Sequence, residues 1–232
     1  MADNLRTFAT PCSGGLVVNQ DPLTQGGQLA GSATRLINYE PALNGGYRRI
    51  SGYANTYGEM PGLANSPVLG VHVSPDIGDG IFAAREPTSG NNYLHAWNNT
   101  TDSWDTITTV GSPTMTGVSK VRFESFNWGI PKFVMVDGVN PASTWDGTTY
   151  VQLSGLYLPS APSLATDFKE HMFLAGDSSE PCSLFFSANG NETDWGLELG
   201  AGVLNVGFEI VQLKSFRDEL YIFGHNNIKR LT

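Results

Sequence analysis

A repeat constrains this chain more than any other feature of its sequence. Four short runs of strand-forming residues, Gly80–Ala84, Lys132–Val136, His171–Ala175 and Leu220–Phe223, end at positions 84, 136, 175 and 223, spaced by 52, 39 and 48 residues. Each leads through a turn-rich stretch into a second run, Tyr93–Trp97, Ala142–Trp145, Ser183–Phe186 and Asn227–Leu231, and these end 48, 41 and 45 residues apart. Both sets of landmarks share the period of ~40–50 residues at which four-stranded propeller blades recur. Further strands are expected ahead of the first runs, at Leu69–Val73, Lys120–Glu124, Ala165–Phe168 and Ile210–Phe216. Others follow the second runs, at Trp104–Ile107 and Tyr150–Leu153. Between Trp145 and Tyr150, Asp146-Gly147 signals a tight hairpin whose two central residues favour positive φ.

Each unit therefore reads as two hairpins in series, and the fourth unit reaches Thr232 before its last strand. The expected fold class is all-β, with β-propeller-like blades of antiparallel strands preceded by an extended N-terminal arm. A β-sandwich or an irregular stack of hairpins is the alternative. The 27 glycines and 13 prolines fall between the short β runs, which is the punctuation of many short strands. The one stretch with helical spacing is around Ala30–Asn38, where Leu29, Ala33, Leu36 and Ile37 recur. Texture changes near residue 65. Residues 1–65 are glycine-rich with few strand-like runs and are expected to form an extended arm that crosses a neighbouring subunit or adaptor. Residues 66–232 are expected to form the blade domain, about four blades with the last incomplete.

Composition narrows function mainly by exclusion. With 13 Lys+Arg against 22 Asp+Glu the chain carries −9, a poor match for a protein whose main task is to grip nucleic acid. No apolar run reaches the ~18 residues of a membrane-spanning helix, and Met1–Arg6 lacks a secretory pattern, so no membrane span and a cytoplasmic site of synthesis are expected. Cys12 and Cys182 have neither cysteine nor histidine neighbours at ligand spacing and read as ordinary thiols. The Asn-x-Thr triplets at Asn98, Asn99 and Asn191 read as turn residues rather than glycan acceptors.

Catalytic patterns are missing from the sequence. Gly200-Ala201-Gly202 lacks the third glycine of a dinucleotide loop, and there is no Gly-Lys-Ser/Thr and no Gly-x-Ser-x-Gly. The four histidines, His72, His95, His171 and His225, are dispersed, so local spacing yields no triad. Asp76, Asp79, Asp137, Asp177 and Asp194 neighbour glycine or serine in expected turns, where an Asp caps its own backbone. Ser74-Pro75-Asp76-Ile77-Gly78 approaches a sialidase-type Asp box but lacks its Trp. Trp104-Asp105 and Trp145-Asp146 fall at different places in their units, and aromatic packing between blades accounts for them better than a WD40 signature. No cofactor, no metal ligand set and no catalytic residue is expected, so the chain is read as a non-enzyme.

The densest positive charge is Arg48-Arg49, set between Tyr47 and Tyr53. Tyr47, Arg48, Arg49 and Tyr53 are the candidate assembly interface, since a tyrosine-flanked arginine pair suits carboxylates or aromatic faces on a partner. A solvated turn explains the pair equally well.

The chain resembles the nozzle or hub proteins of short-tailed bacteriophages, a propeller-bearing family also described as packaged-DNA stabilisation proteins. The likeness is carried first by Gly14-Gly15-Leu16, Asp21-Pro22-Leu23, Arg35–Tyr39, Gly45–Arg49 and Gly52-Tyr53. It resumes at Phe168–Gly176, Leu184–Ser187, Asp194-Trp195, Gly200–Gly202, Val206–Ile210 and Phe216–Phe223. The two stretches cover about half of the chain, and their order matters more than any single motif. The resemblance implies a structural virion protein of a phage tail, made in the bacterial host cytoplasm and assembled with itself as a ring, commonly of six copies. Its implied neighbours are tail adaptor or hub proteins, and phage DNA passes through the lumen without specific binding. Net acidity suits such a conduit, because lumen lysines would grip phosphate and slow passage. The alternatives are a peripheral tail protein that binds a host receptor or glycan, and a glycan-cleaving enzyme, which needs two carboxylates ~5–9.5 Å apart in a cleft.

Overall fold

The structure is a computed structural model that describes Leu16, Ala33, 35–42, 47–52, 57–61, 66–85, 94–107 and 117–232. It divides into two compact units, Met1–Thr56 and Tyr57–Thr232.

In the first unit, β1 (Tyr39–Pro41) and β2 (Tyr47–Arg49) form an antiparallel hairpin, with Tyr39 opposite Arg49 and Glu40 opposite Arg48. Leu16 and Ala33 form an isolated parallel bridge. The helix expected around Ala30–Asn38 is not formed where that stretch is described. Residues 35–38 are irregular, and Asn38 takes φ 59° to turn the chain into β1, a conformation outside the right-handed helical region.

The second unit is all-β, built from antiparallel sheets whose strands follow sequence order. The first sheet comprises β3 (Val68–Val73), β4 (Ile81–Arg85), β5 (Leu94–Asn98) and β6 (Ser103–Thr106). The second comprises β7 (Arg122–Asn127), β8 (Pro131–Val136), β9 (Ser143–Trp145) and β10 (Tyr150–Gln152). The third comprises β11 (Leu164–Phe168), β12 (His171–Ala175), β13 (Ser183–Phe186) and β14 (Gly202–Asn205). The fourth has three strands, β15 (Gln212–Phe216), β16 (Glu219–Phe223) and β17 (Ile228–Leu231). Strand β14 was not among the expected strands. Its Gly202 lets the ring of Phe186 lie where a Cβ would stand, so a residue with little strand propensity is required there. A single 3₁₀ turn, Leu197–Leu199, precedes it.

Three hydrophobic layers join consecutive sheets. Phe82, Ala84 and Leu94 of the first sheet pack on Phe133, Met135, Trp145 and Tyr150 of the second. Val134 and Val136 pack on Met172, Leu174 and Phe185. Leu164, Phe168, Phe173 and Leu184 pack on Leu213, Leu220 and Ile222. Successive side chains on a strand point to opposite faces, so β8 and β12, covered on both sides, are continuous apolar runs rather than alternating ones. That is why these two runs are such clear landmarks in the sequence.

Turn chemistry departs from expectation at one hairpin. Asp146 does not occupy the positive-φ position of a two-residue turn. The loop from Trp145 to Tyr150 has four residues, with Gly147 at φ 95° and the Asp146 carboxylate accepting the amides of Thr148 (2.8 Å) and Thr149 (2.6 Å). The side chain thus does by hydrogen bonding what a left-handed backbone would otherwise do. The tight two-residue turns lie instead at Lys169-Glu170 and Arg217-Asp218, all four residues at φ 50–61°. In both turns the basic side chain lies over the preceding ring, Lys169 over Phe168 and Arg217 over Phe216.

Candidate functional site

The first strands of the four sheets, β3, β7, β11 and β15, stand side by side and line one cleft of about 260 Å³. Gly70 makes the closest approach possible. A Cβ there would lie 2.5 Å from the Val121 carbonyl oxygen, and the Val121 amide donates to the Leu69 carbonyl at 2.9 Å. Polar side chains tie the walls together. His72 Nε2 and Ser125 Oγ are 2.8 Å apart across β3 and β7, and Ser125 Oγ is 3.4 Å from Ser74 Oγ. Thr166 Oγ1 donates to Glu124 Oε1 at 3.4 Å, and Arg122 Nη1 donates to the Ser163 carbonyl at 3.3 Å.

Burial dominates the electrostatics of the cleft. It lowers the His72 pKa and favours the neutral imidazole, which stacks on Phe123 with ring centroids 5.2 Å apart. It raises the Glu124 pKa against the opposing pulls of Lys214, the Asp167 amide and Thr166. Glu124 is the one carboxylate among the described residues lining the cleft. Asp167, next along the strand from Thr166, points away from it and accepts Trp128 Nε1 at 3.1 Å. The paired carboxylates that glycoside cleavage requires are therefore not assembled here.

His72 and Ser125 are a pairing that sequence spacing missed, because their 53-residue separation becomes short only when β3 and β7 lie side by side. A hydroxyl beside an imidazole is the start of a nucleophile and base. Activation also needs a group that orients the imidazole, and no hydrogen bond to His72 Nδ1 joins it to a carboxylate among the described residues. Elsewhere His171 Nδ1 lies 2.6 Å from the Ser187 carbonyl oxygen, and His95 is sealed in the first sheet. Among the described residues no group of three or more His, Cys, Asp and Glu could hold a metal ion, and no helix is long and apolar enough to cross a membrane.

The turn aspartates behave as capping groups at three positions. Asp137 accepts the Val139 and Asn140 amides, and Asp194 accepts that of Gly196. Burial alone would raise the pKa of Asp177, but hydrogen bonds from Ser179, Ala161 and Ser160 outweigh it and bring it down to about 2. Asp79 reaches farther and accepts the Asn99 amide at 2.7 Å, clamping two hairpins of the first sheet. Trp104 lies in β6 and Trp145 at the end of β9, with Trp145 packed between the first two sheets.

The candidate assembly residues lie in the first unit. Tyr47, Arg48 and Arg49 make up β2, where Arg48 Nε donates to Glu40 Oε1 at 2.6 Å and the Tyr47 hydroxyl accepts the Ala33 amide at 3.2 Å. Arg48 thus already has a carboxylate partner, whereas Arg49 is exposed. Tyr53 and Cys12 lie outside the described residues, and Cys182 is a free thiol.

No family model and no curated protein matches this chain. A solved structure described as the crystal structure of BBS1N in complex with ARL6DN, soaked with lead, is similar over 80% of this chain, with a TM-score of 0.43 and 8% identity. This chain spans about half, 54%, of the length of the chain it matches there, and a likeness of that size assigns no family.

Proposed function

We propose that this chain is a non-catalytic structural protein whose sheets are blades of a β-propeller-like ring segment, and that it forms part of the nozzle or hub of a phage tail. One observation carries the reading: antiparallel sheets in sequence order pack each on the next, with their first strands converging on a single cleft. Blades around an axis have this arrangement. The phage-tail part is supported by the ordered motifs of the second half, which fall on β11–β13 and β14–β16. Polar groups in the cleft are spent on one another, so the site holds adjacent strands in place and leaves no reactive pair fully equipped.

Imaging intact phage particles with a tag on this chain tests the tail assignment. The expected result is a ring of tags on the tail axis, and tags absent from particles would overturn it. A serine-reactive fluorophosphonate probe tests the non-catalytic part, since stoichiometric labelling of Ser125 would reveal a hydrolase.

A second reading, glycan recognition, rests on the cluster of Tyr57, Trp97 and Trp104. The Trp97 and Trp104 ring centroids lie 4.8 Å and 6.2 Å from that of Tyr57, and Trp97 Nε1 donates to Asn99 Oδ1 at 3.0 Å. Tyr57 is exposed and Trp104 half-buried over the buried Trp97, and exposed aromatic surface beside polar groups suits a sugar face. Glycan-array binding that Trp104→Ala abolishes would favour this reading over the first.

A further inference from the structure

The cleft between the first strands carries two polar rungs. Arg122 and Glu124 stand two residues apart on β7, and Gln212 and Lys214 two residues apart on β15, so each pair projects from one face of its strand. Contacts between strands fix which side chains share a level. Arg122 Nη1 donates to the Ser163 carbonyl at 3.3 Å and to Gln212 Oε1 at 3.5 Å. Thr166 Oγ1 donates to Glu124 Oε1 at 3.4 Å, and Lys214 acts electrostatically on the same carboxylate. The two rungs are about 6–7 Å apart, the rise of two residues of extended strand.

The two cations of the cleft are not equally matched. Lys214 faces Glu124, the one carboxylate among the described lining residues. Arg122 has none: among the described residues it forms no ion pair, and both its acceptors are neutral and at the long end of hydrogen-bond distance. Arg122 also lines a second cavity of about 340 Å³, whose acids are engaged elsewhere. Asp177 accepts from Ser160, Ala161 and Ser179, and Glu209 lies 3.7 Å from His225. Two cations against one carboxylate leave the first-strand cleft with one positive charge in excess. That charge sits on a half-buried guanidinium whose Nε and Nη2 have no acceptor among the described residues.

A guanidinium presents its donors as a planar fork, which matches a carboxylate through two parallel hydrogen bonds. On the other rung Glu124 accepts and Lys214 donates, a pairing that suits hydroxyl groups. The cleft volume of about 260 Å³ lies just under the range of drug-sized pockets and admits one substituted ring rather than a chain of them. We infer that the first-strand cleft binds a small hydroxylated carboxylate of sugar-acid size, its carboxylate held by Arg122 and its hydroxyls by Glu124 and Lys214. Such a ligand bridges β7 and β15 where the first strands meet. The inference goes beyond the structural role proposed above, needs no place in a tail, and involves no chemical step.

Amide chemical shifts of the full chain, followed while glucuronate or galacturonate is added, test it. The expected result is saturable shifts at Arg122, Thr166 and Leu213 with a Kd of about 1 mM or tighter for at least one of the two, ordinary efficiency for a ligand of this size. Glucose and galactose, which lack the carboxylate, should bind at least about tenfold more weakly. Arg122→Gln should lose about tenfold or more, while Arg122→Lys, which keeps the charge without the fork, should fall between that variant and the parent. Trp104→Ala should leave the affinity unchanged, which separates this site from the aromatic cluster. No saturable shift at about 10 mM would overturn the inference, as would neutral sugars binding as well as the acids. Inorganic phosphate binding as tightly as the sugar acids would overturn it too, by showing a general anion site. These outcomes are read on the parent chain, so they hold whether or not the Arg122 variants fold. A folded Arg122→Gln variant that binds like the parent, or loss of binding in Trp104→Ala, would also overturn it. Each of these failures leaves the structural role standing, and the tail assignment fails separately, in particle images.

Discussion

Lys132 Nζ lies 2.5 Å from Glu192 Oε1, joining β8 of the second sheet to the turn that follows β13 in the third. The Glu192 side chain is 7% exposed and the Lys132 side chain 24%, so the pair sits largely out of water. Removing one partner strands a charge and costs more than the pair itself contributes. Lys132→Met should therefore destabilise the chain by about 3 kcal/mol in urea unfolding. The double variant Lys132→Met/Glu192→Leu should recover to within about 1 kcal/mol of the parent, since no unpaired charge remains. Equal losses in the single and double variants would show that this contact does not fasten the two sheets.

Gly70 supplies the second test. Its missing Cβ lets β3 approach β7, with the Val121 carbonyl oxygen 2.5 Å from where that Cβ would be. The obstacle is backbone on both sides, which cannot rotate aside. Gly70→Ala should cost about 1–3 kcal/mol through overpacking. It should also open the cleft edge, read as faster hydrogen exchange at the Val121 amide, which donates to Leu69. Unchanged exchange there would place the strain elsewhere.

His95 gives the chain an acid-sensitive layer. It is 1% exposed, and burial first, with the nearby Arg85 charge second, lowers its pKa from 6.5 to about 4. The unfolded chain binds the proton more readily, so this contribution to stability is complete above pH 6.5 and is lost as pH falls towards 4. The urea midpoint should drop between pH 7 and pH 5, and His95→Gln, which stays neutral, should reduce that drop. Burial also raises the Glu124 and Asp167 pKa values, which gives an opposing slope at lower pH, so the comparison belongs above pH 5.

Legibility in the sequence followed burial. The β8 and β12 runs were plain because both faces are covered, and the β12 bounds in the structure match the run His171–Ala175 residue for residue. β14 was missed because Gly202-Val203-Leu204-Asn205 holds its place by pairing with β13, with Gly202 chosen for the Phe186 ring rather than for strand propensity. The β1–β2 hairpin was missed for a related reason: its three-residue strands are too short to show alternation. The Ser125–His72 contact lay beyond any local reading, since only the approach of two first strands creates it. Turn aspartates were the most readable polar groups, because Asp137 and Asp194 bond to amides two or three residues on, a relation that spacing alone carries.

The paired turns at Lys169-Glu170 and Arg217-Asp218 are where sequence and backbone disagree most sharply. A two-residue hairpin turn with both φ values positive favours Asn-Gly or Asp-Gly, yet this chain places a long basic and an acidic residue in each. The register on both sides allows no other loop, since Phe168 pairs with His171 and Phe216 with Glu219. A left-handed non-glycine residue costs roughly 1–2 kcal/mol, and glycine relieves this while making the unfolded chain freer by about 0.4–1 kcal/mol. Glu170→Gly, at φ 57°, should therefore stabilise the chain by roughly 0.5 kcal/mol. The substitution keeps the Glu170 carbonyl that accepts the Gly190 amide at 2.7 Å. Asp218→Gly, at φ 61°, should do the same in the fourth sheet. By contrast, Glu170→Val should lose stability, because a β-branched side chain tolerates that backbone least. A thermal midpoint that falls for Glu170→Gly would mean that the carboxylate makes a contribution larger than the strain it imposes, and that the repeated basic-acidic pair is held for its charges rather than tolerated by the fold.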